Sequence, residues 1–144
     1  MNPLPRHSVS VTAVAVDDDG RALIIQRRDN GRWEPPGGVL ELDETIEAGA
    51  QREALEETGV KVELVGLTGI YKNMTLGVVA LVFRARAVSG EPQTGPETQA
   101  TMWASRDDVI ALVPEVYAVR VLDALDSSPG TPRIRYHDGI QLLP

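Results

Sequence analysis

Residues 8–16, SVSVTAVAV, alternate between apolar and small polar positions and are rich in β-branched side chains, which predicts a strand. A second strand is predicted at 21–28, RALIIQRR, after a DDDG turn at 17–20. An EF-hand reading of that acidic turn fails, because the position that needs a glutamate holds Arg28. Residues 29–38, DNGRWEPPGG, carry two prolines and three glycines and predict loop, with a short strand at 39–41. Alternation resumes at 60–67, VKVELVGL, and a long strand is predicted at 75–88, with Arg84 and Arg86 on one side near its end. After a loop at 89–99 come a short strand at 100–105 and two helices, 106–113 and 114–125, with Pro114 starting the second. A Pro/Gly-rich tail fills about 127–144.

One helix is bounded by its own caps. Thr45 is an N-cap candidate, Glu47 sits in the favourable first turn and Gly59 suits the C-terminal position, so the helix spans 46–58. At about 100° per residue, with Arg52 as zero, Glu56 falls near 40°, Glu53 near 100° and Glu57 near 140°. The three carboxylates share a face, and Arg52–Glu56 is the only i,i+4 pair of opposite charge among them. Ile46, Ala50, Ala54 and Leu55 mark the apolar side. Glu57 abuts that side, so it is expected to be partly buried, where a charge needs a partner.

Together these elements predict an α/β protein: a mixed sheet with a central helix and C-terminal helices, either α+β or an α/β/α sandwich. The 144 residues suit one domain over 1–144, and 42% hydrophobic content suits a packed core. Without cysteine there is neither a disulfide framework nor a thiolate metal site. The N-terminal stretch lacks the features of a signal peptide, and no run reaches the length of a membrane helix, so a cytoplasmic protein is expected. A net charge of −7 disfavours a broad grip on DNA or RNA, but not a small phosphorylated ligand bridged by cations.

The acidic helix face can be a solvated surface or a site for a hard divalent cation, whose charge would relieve the repulsion. Its surroundings discriminate. Residues 38–60 read GVLELDETIEAGAQREALEETGV: Gly38, then Glu44, then Arg52–Glu53, Glu56–Glu57, Gly59 and an aliphatic Val60. This pattern closely resembles the Nudix box, with one departure, Ala54 where a bulkier aliphatic is usual. The preceding WEPPGG is similar to the loop before that box.

The resemblance implies a Nudix-type α/β/α sandwich with a central mixed β-sheet, covering about 8–125. It also implies a pyrophosphohydrolase that uses Mg²⁺, or alternatively Mn²⁺, on a small-molecule nucleoside diphosphate derivative. Carried onto this sequence, Glu53 and Glu57 would be metal ligands, Glu56 a direct or water-mediated one, and the Gly37 carbonyl a further oxygen. Arg52 would hold Glu53, Glu44 would tune the site, and Glu53 is the candidate general base. Glu97, in the loop before the strand at 100–105, is either a metal-binding or base glutamate or an ordinary surface acid.

Among substrate contacts, Arg27 is the choice over Arg28 to meet a phosphate, since alternation turns only one inward. Trp33 either stacks on a base or packs, and Tyr71, placed after a strand, is a weaker stacking candidate. Trp103 and Phe83 are core candidates, and His7 and His137 are too isolated to serve as a base. The alternative to an enzyme is a Nudix-fold nucleotide-binding or regulatory module without catalysis, which the full set of acids argues against. No DNA or membrane partner is expected, and a homodimer is left open.

Overall fold

A computed structural model describes residues 3–126 and 130–144. Strand β1 (Ser8–Ala15) lies second from the edge of a six-stranded mixed sheet ordered β4-β1-β6-β5-β8-β9, with β4 at Gly37–Val39, β5 at Lys61–Asn73, β6 at Val78–Ser89, β8 at Arg133–His137 and β9 at Leu142–Leu143. A second, three-stranded sheet is ordered β3-β2-β7, from Trp33–Glu34, Ala22–Arg27 and Thr98–Ala104. Helices α1 (Ile46–Thr58), α2 (Arg106–Leu112) and α3 (Glu115–Asp126) complete the fold. Among the described residues no helix is long and apolar enough to cross a membrane.

Period-two alternation in β1 builds both cores. Val11, Ala13 and Ala15 pack with Ala50 and Ala54 of α1. Val14, on the opposite face, joins Val121 and Ala124 of α3 and Val109 of α2. The large sheet is thus the filling of an α/β/α sandwich. Small Ala50 and Ala54 let α1 lie close to β1; the box departure at Ala54 falls where the side chain is buried. Ile46 and Leu55, expected on the apolar side, are instead 38% and 52% exposed, because burial is confined to the narrow strip of Gly49, Ala50, Ala54 and Thr58.

The helix ends follow the expected caps. Thr45 Oγ1 accepts from Ala48 N at 3.2 Å, and Gly59 closes the helix in the left-handed region (φ 75°), donating to Leu55 O at 2.9 Å. Several strand expectations need correction. The turn at 17–20 is present, and beyond a single bridge, Val16 to Ala22, β1 and β2 diverge into different sheets. The loop predicted at 29–38 contains β3 and the start of β4, since two-residue strands escape a periodicity argument. β5 runs on through 68–73, so Tyr71 lies inside a strand rather than after one. The tail contributes β8, paired in parallel with β5, and β9. Positions 127–129 of that tail lie outside the described residues.

Candidate active site

Helix α1 carries its acids toward the Gly37–Gly38 end of β4. Glu53 and Glu57 face this backbone: Gly37 N donates to Glu57 Oε2 at 3.3 Å. A methyl group built on Gly38 would fall 2.5 Å from Glu53 Oε1 and 2.8 Å from Oε2. Only glycine lets the carboxylate approach that closely. The Glu53 side chain is 12% exposed, whereas Glu56 is 59% exposed. The structure therefore brings Glu53 and Glu57 together on the inner side and leaves Glu56 at the solvent edge.

Arg52 organises the acids through one guanidinium. It forks onto Glu44, Nε to Oε2 at 2.9 Å and Nη2 to Oε1 at 2.7 Å. Nη1 donates to Glu53 Oε1 at 3.0 Å and to Glu56 Oε2 at 3.2 Å, while Nη2 also reaches the Val39 carbonyl at 3.3 Å. The fork from Arg52 holds Glu44 down to about pKa 2. The one Arg52 charge is thus shared with two more acids than the i,i+4 pair that the helix alone offers. Glu41, 61% exposed, lies at the rim, 4.0 Å from Arg52.

Among the described residues Glu57 has no cationic partner of its own. Burial first, and then the charge of Glu53, push its pKa up to about 8. Two inward carboxylates backed by peptide groups form an all-oxygen donor set, which fits a hard divalent cation such as Mg²⁺ or Mn²⁺ and would be relieved by one. The full proposed set of Gly37, Glu53, Glu56, Glu57 and Glu97 is not preassembled: among the described residues no three Asp, Glu or His side chains are gathered tightly enough to form a metal cage.

A cavity of about 340 Å³ opens beside Glu57, bordered by Glu34, Arg27, Arg28, Glu97 and Thr98. Glu97 stands exposed in the loop on its rim, and its carbonyl accepts from Arg28 N at 3.0 Å. Both arginines border the cavity, contrary to strict alternation, because a register shift between Gln26 and Arg27 breaks the pleat. Arg27 is already engaged, by Asp29 at 2.7 Å and Glu34 at 3.1 Å.

Two proposed substrate contacts do not reach this space. Tyr71 is fully buried, and its hydroxyl donates to Asp123 Oδ2 at 2.7 Å. No base can stack on its ring. Trp33 is half-buried against the core formed around Val14 and Tyr71, and it borders neither the cavity beside Glu57 nor a second one described below. Trp103 and Phe83 pack against the α1-side core as expected, and His137 is a buried residue of β8.

Other residues at the site escaped the sequence reading. Glu34 is 7% exposed and shared between Arg27 and Arg32, and Arg120 is 8% exposed on α3. Arg120 had a signal: it falls four residues after Val116 and four before Ala124, on an apolar stripe where a charge is anomalous. Nothing local distinguishes Glu34 from a loop acid.

The NUDIX domain family model matches residues 6–122. The chain belongs to that family, and it is a pyrophosphohydrolase acting on acid anhydrides. It is 55% identical over 140 residues to a MutT-like protein of Streptomyces ambofaciens, covering 97% of this chain and 90% of that protein. An oxidized purine nucleoside triphosphate hydrolase of Danio rerio is 32% identical over 118 residues, 69% of this chain and 74% of its own length. Among solved structures, an ADP-ribose pyrophosphatase of Streptococcus suis superposes with a TM-score of 0.79 at 24% identity, over 90% of this chain and 99% of that one, a likeness of fold.

Proposed function

We propose that this enzyme hydrolyses a phosphoanhydride bond in a small nucleoside diphosphate-linked compound, using Mg²⁺ or Mn²⁺ held by Glu53, Glu57 and Glu56. The observation that carries this reading is the convergence of Glu53 and Glu57 on Gly37–Gly38, with Arg52 clamping Glu53 from the other side. The Gly37 carbonyl and Glu97 are the further oxygens in reach of the same reading. When bound, the cation supplies charge neutralisation on the phosphates and a more acidic water. The chain's own part is positional and protolytic. Arg52 fixes the rotamer of Glu53 and, through Glu44, the angle of its own guanidinium. Glu53 accepts the proton of the attacking water. Arg28, and Arg27 where it is not spent on Asp29 and Glu34, give the adjoining cavity a cationic edge for phosphate oxygens.

The substrate classes favoured are those of the relatives, oxidized purine nucleoside triphosphates and ADP-ribose. The cavity of about 340 Å³ lies within the size range of small-molecule sites. Strands β8 and β9, which extend the main sheet, support one domain over 1–144. The test is a panel of nucleoside triphosphates, oxidised nucleoside triphosphates, nucleoside diphosphate sugars and dinucleotides with Mg²⁺, read by phosphate release and product identity. Hydrolysis of at least one compound, abolished by chelation and by Glu53→Gln, is expected. Inertness toward all of them, or chelator-resistant turnover, would sink the reading.

A further inference from the structure

Arg120 is a buried cation that makes no ion pair among the described residues, and the Glu34 carboxylate that acts on it through space is already shared by Arg27 and Arg32. Arg120 projects from α3, is 8% exposed, and its Nε has no hydrogen-bond partner. Its Nη2 lies 3.2 Å from His137 Nε2. That ring is a poor partner, because Gly139 N already points at Nδ1 from 3.0 Å, and a neutral imidazole accepts at only one nitrogen. Asp123, one turn along α3, is spent: it takes the Tyr71 hydroxyl at 2.7 Å and two Arg135 N–H groups at 2.7 and 2.8 Å. What remains are the faces of Tyr71 and Tyr117, with ring centroids 5.3 and 5.0 Å from the Arg120 guanidinium carbon. A buried charge so poorly compensated destabilises a fold unless something else neutralises it.

Arg120 borders a second cavity, of about 150 Å³, with Arg27, Arg32, Glu34, Tyr117, Thr12 and Gly38, so three cations and one carboxylate line it. Arg32 lies over the Tyr117 ring at 4.3 Å and donates to Glu34 at 2.9 Å. Arg27 and Arg32 therefore have carboxylate partners, and Arg120 carries the unspent charge. Gly38 connects this cavity to the catalytic face, because the Glu53 carboxylate lies against it. The volume is below the roughly 300 Å³ at which sites for drug-sized ligands begin, so it suits one small group.

We propose that this cavity is an oxyanion subsite, in which Arg120 receives a phosphate or carboxylate group carried by the substrate beyond the scissile diphosphate. The excess charge selects an anion over a neutral base edge, and a guanidinium offers paired N–H donors that match two oxygens. The proposal rests on the hydrolase reading for the place of the diphosphate, but its test does not use turnover.

The measurement is thermal unfolding of the whole chain in EDTA, titrated with inorganic phosphate or with acetate at constant ionic strength. Wild type is compared with Arg120→Met, which keeps much of the volume and removes the charge. Wild-type Tm is expected to rise with the logarithm of phosphate concentration above the Kd, by about 3–6 °C at ten times the Kd. Arg120→Met, freed of a buried charge, is expected to fold at an equal or higher Tm and to ignore phosphate. A response to acetate alone would assign a carboxylate rather than a phosphate. Arg120→Lys, which keeps the charge but lacks the fork, covers the case in which the Met variant fails to fold; its phosphate Kd should rise about tenfold. Equal responses in wild type and variants, or no response to either anion in wild type, would overturn the subsite. Hydrolysis of the panel without an anion effect would overturn the subsite alone, and an anion effect without any hydrolysis would count against the hydrolase reading alone.

Discussion

Arg52 and Glu44 are joined by two hydrogen bonds, Nε to Oε2 at 2.9 Å and Nη2 to Oε1 at 2.7 Å, although one lies on α1 and the other in the turn before it. This fork aims the third nitrogen, Nη1, at Glu53 and Glu56. A lysine cannot reproduce it. Arg52→Lys is expected to lower turnover about 10–100-fold and to shift the Mg²⁺ dependence to higher concentration, as loss of a group that orients metal ligands does. Rates measured across a Mg²⁺ titration check this. Superimposable curves for the two proteins would reduce Arg52 to a surface charge.

Glu53→Gln keeps size and polarity and removes the charge. Turnover should fall at least about 10²-fold while the melting curve stays cooperative. Glu97→Gln, on the cavity rim, should also slow the reaction if its loop closes on the phosphates. Wild-type rates in the Glu97 variant would leave that residue as a surface acid.

Glu57 makes the stability of metal-free protein depend on pH. Its folded-state pKa, about 8, lies above the ordinary value of 4.5, so the folded state holds the proton longer. Its contribution is therefore full below about pH 4.5 and is lost as pH rises through about 8. Glu44, held down to about 2, works in the opposite direction: its contribution is present above 4.5 and is lost as pH falls through about 2. In EDTA, Tm should decline from pH 5 to pH 8.5, and Glu57→Gln should flatten that decline. Millimolar Mg²⁺ should restore stability most at the alkaline end, where the carboxylates are free to bind it. A Tm indifferent to pH and Mg²⁺ would contradict this account.

Tyr71→Phe removes the hydroxyl that donates to buried Asp123. A hydrogen bond to a charged group is worth about 1.5–3 kcal/mol. At roughly 2–4 °C per kcal/mol for a chain of this size, a Tm drop of several degrees is expected with KM unchanged. A raised KM without loss of stability would return Tyr71 to the substrate site.

What the sequence determined on its own was local and periodic. Helix α1, both its caps and the shared face of Glu53, Glu56 and Glu57 follow from a 3.6-residue repeat and from capping chemistry. The inward lean of Glu57 follows from the same geometry. Tertiary structure alone decided which distant groups meet. The place of Tyr71 depended on β5 continuing past the bulges at Leu64/Gly66 and Leu67/Gly69, which break its alternation. The joint presence of Arg27 and Arg28 at one cavity came from a register shift that β2 shows only against β7. The tail was read only as rich in proline and glycine, with no element assigned, yet the edge of β5 was open to a parallel partner, and pairing took it up. Arg120 escaped the sequence reading, although a charge on the apolar stripe of α3 was there to be seen. Its lack of an ion pair was not, because Asp123 is claimed by Tyr71 and Arg135 from two other strands, and only the packed fold brings those claimants to it.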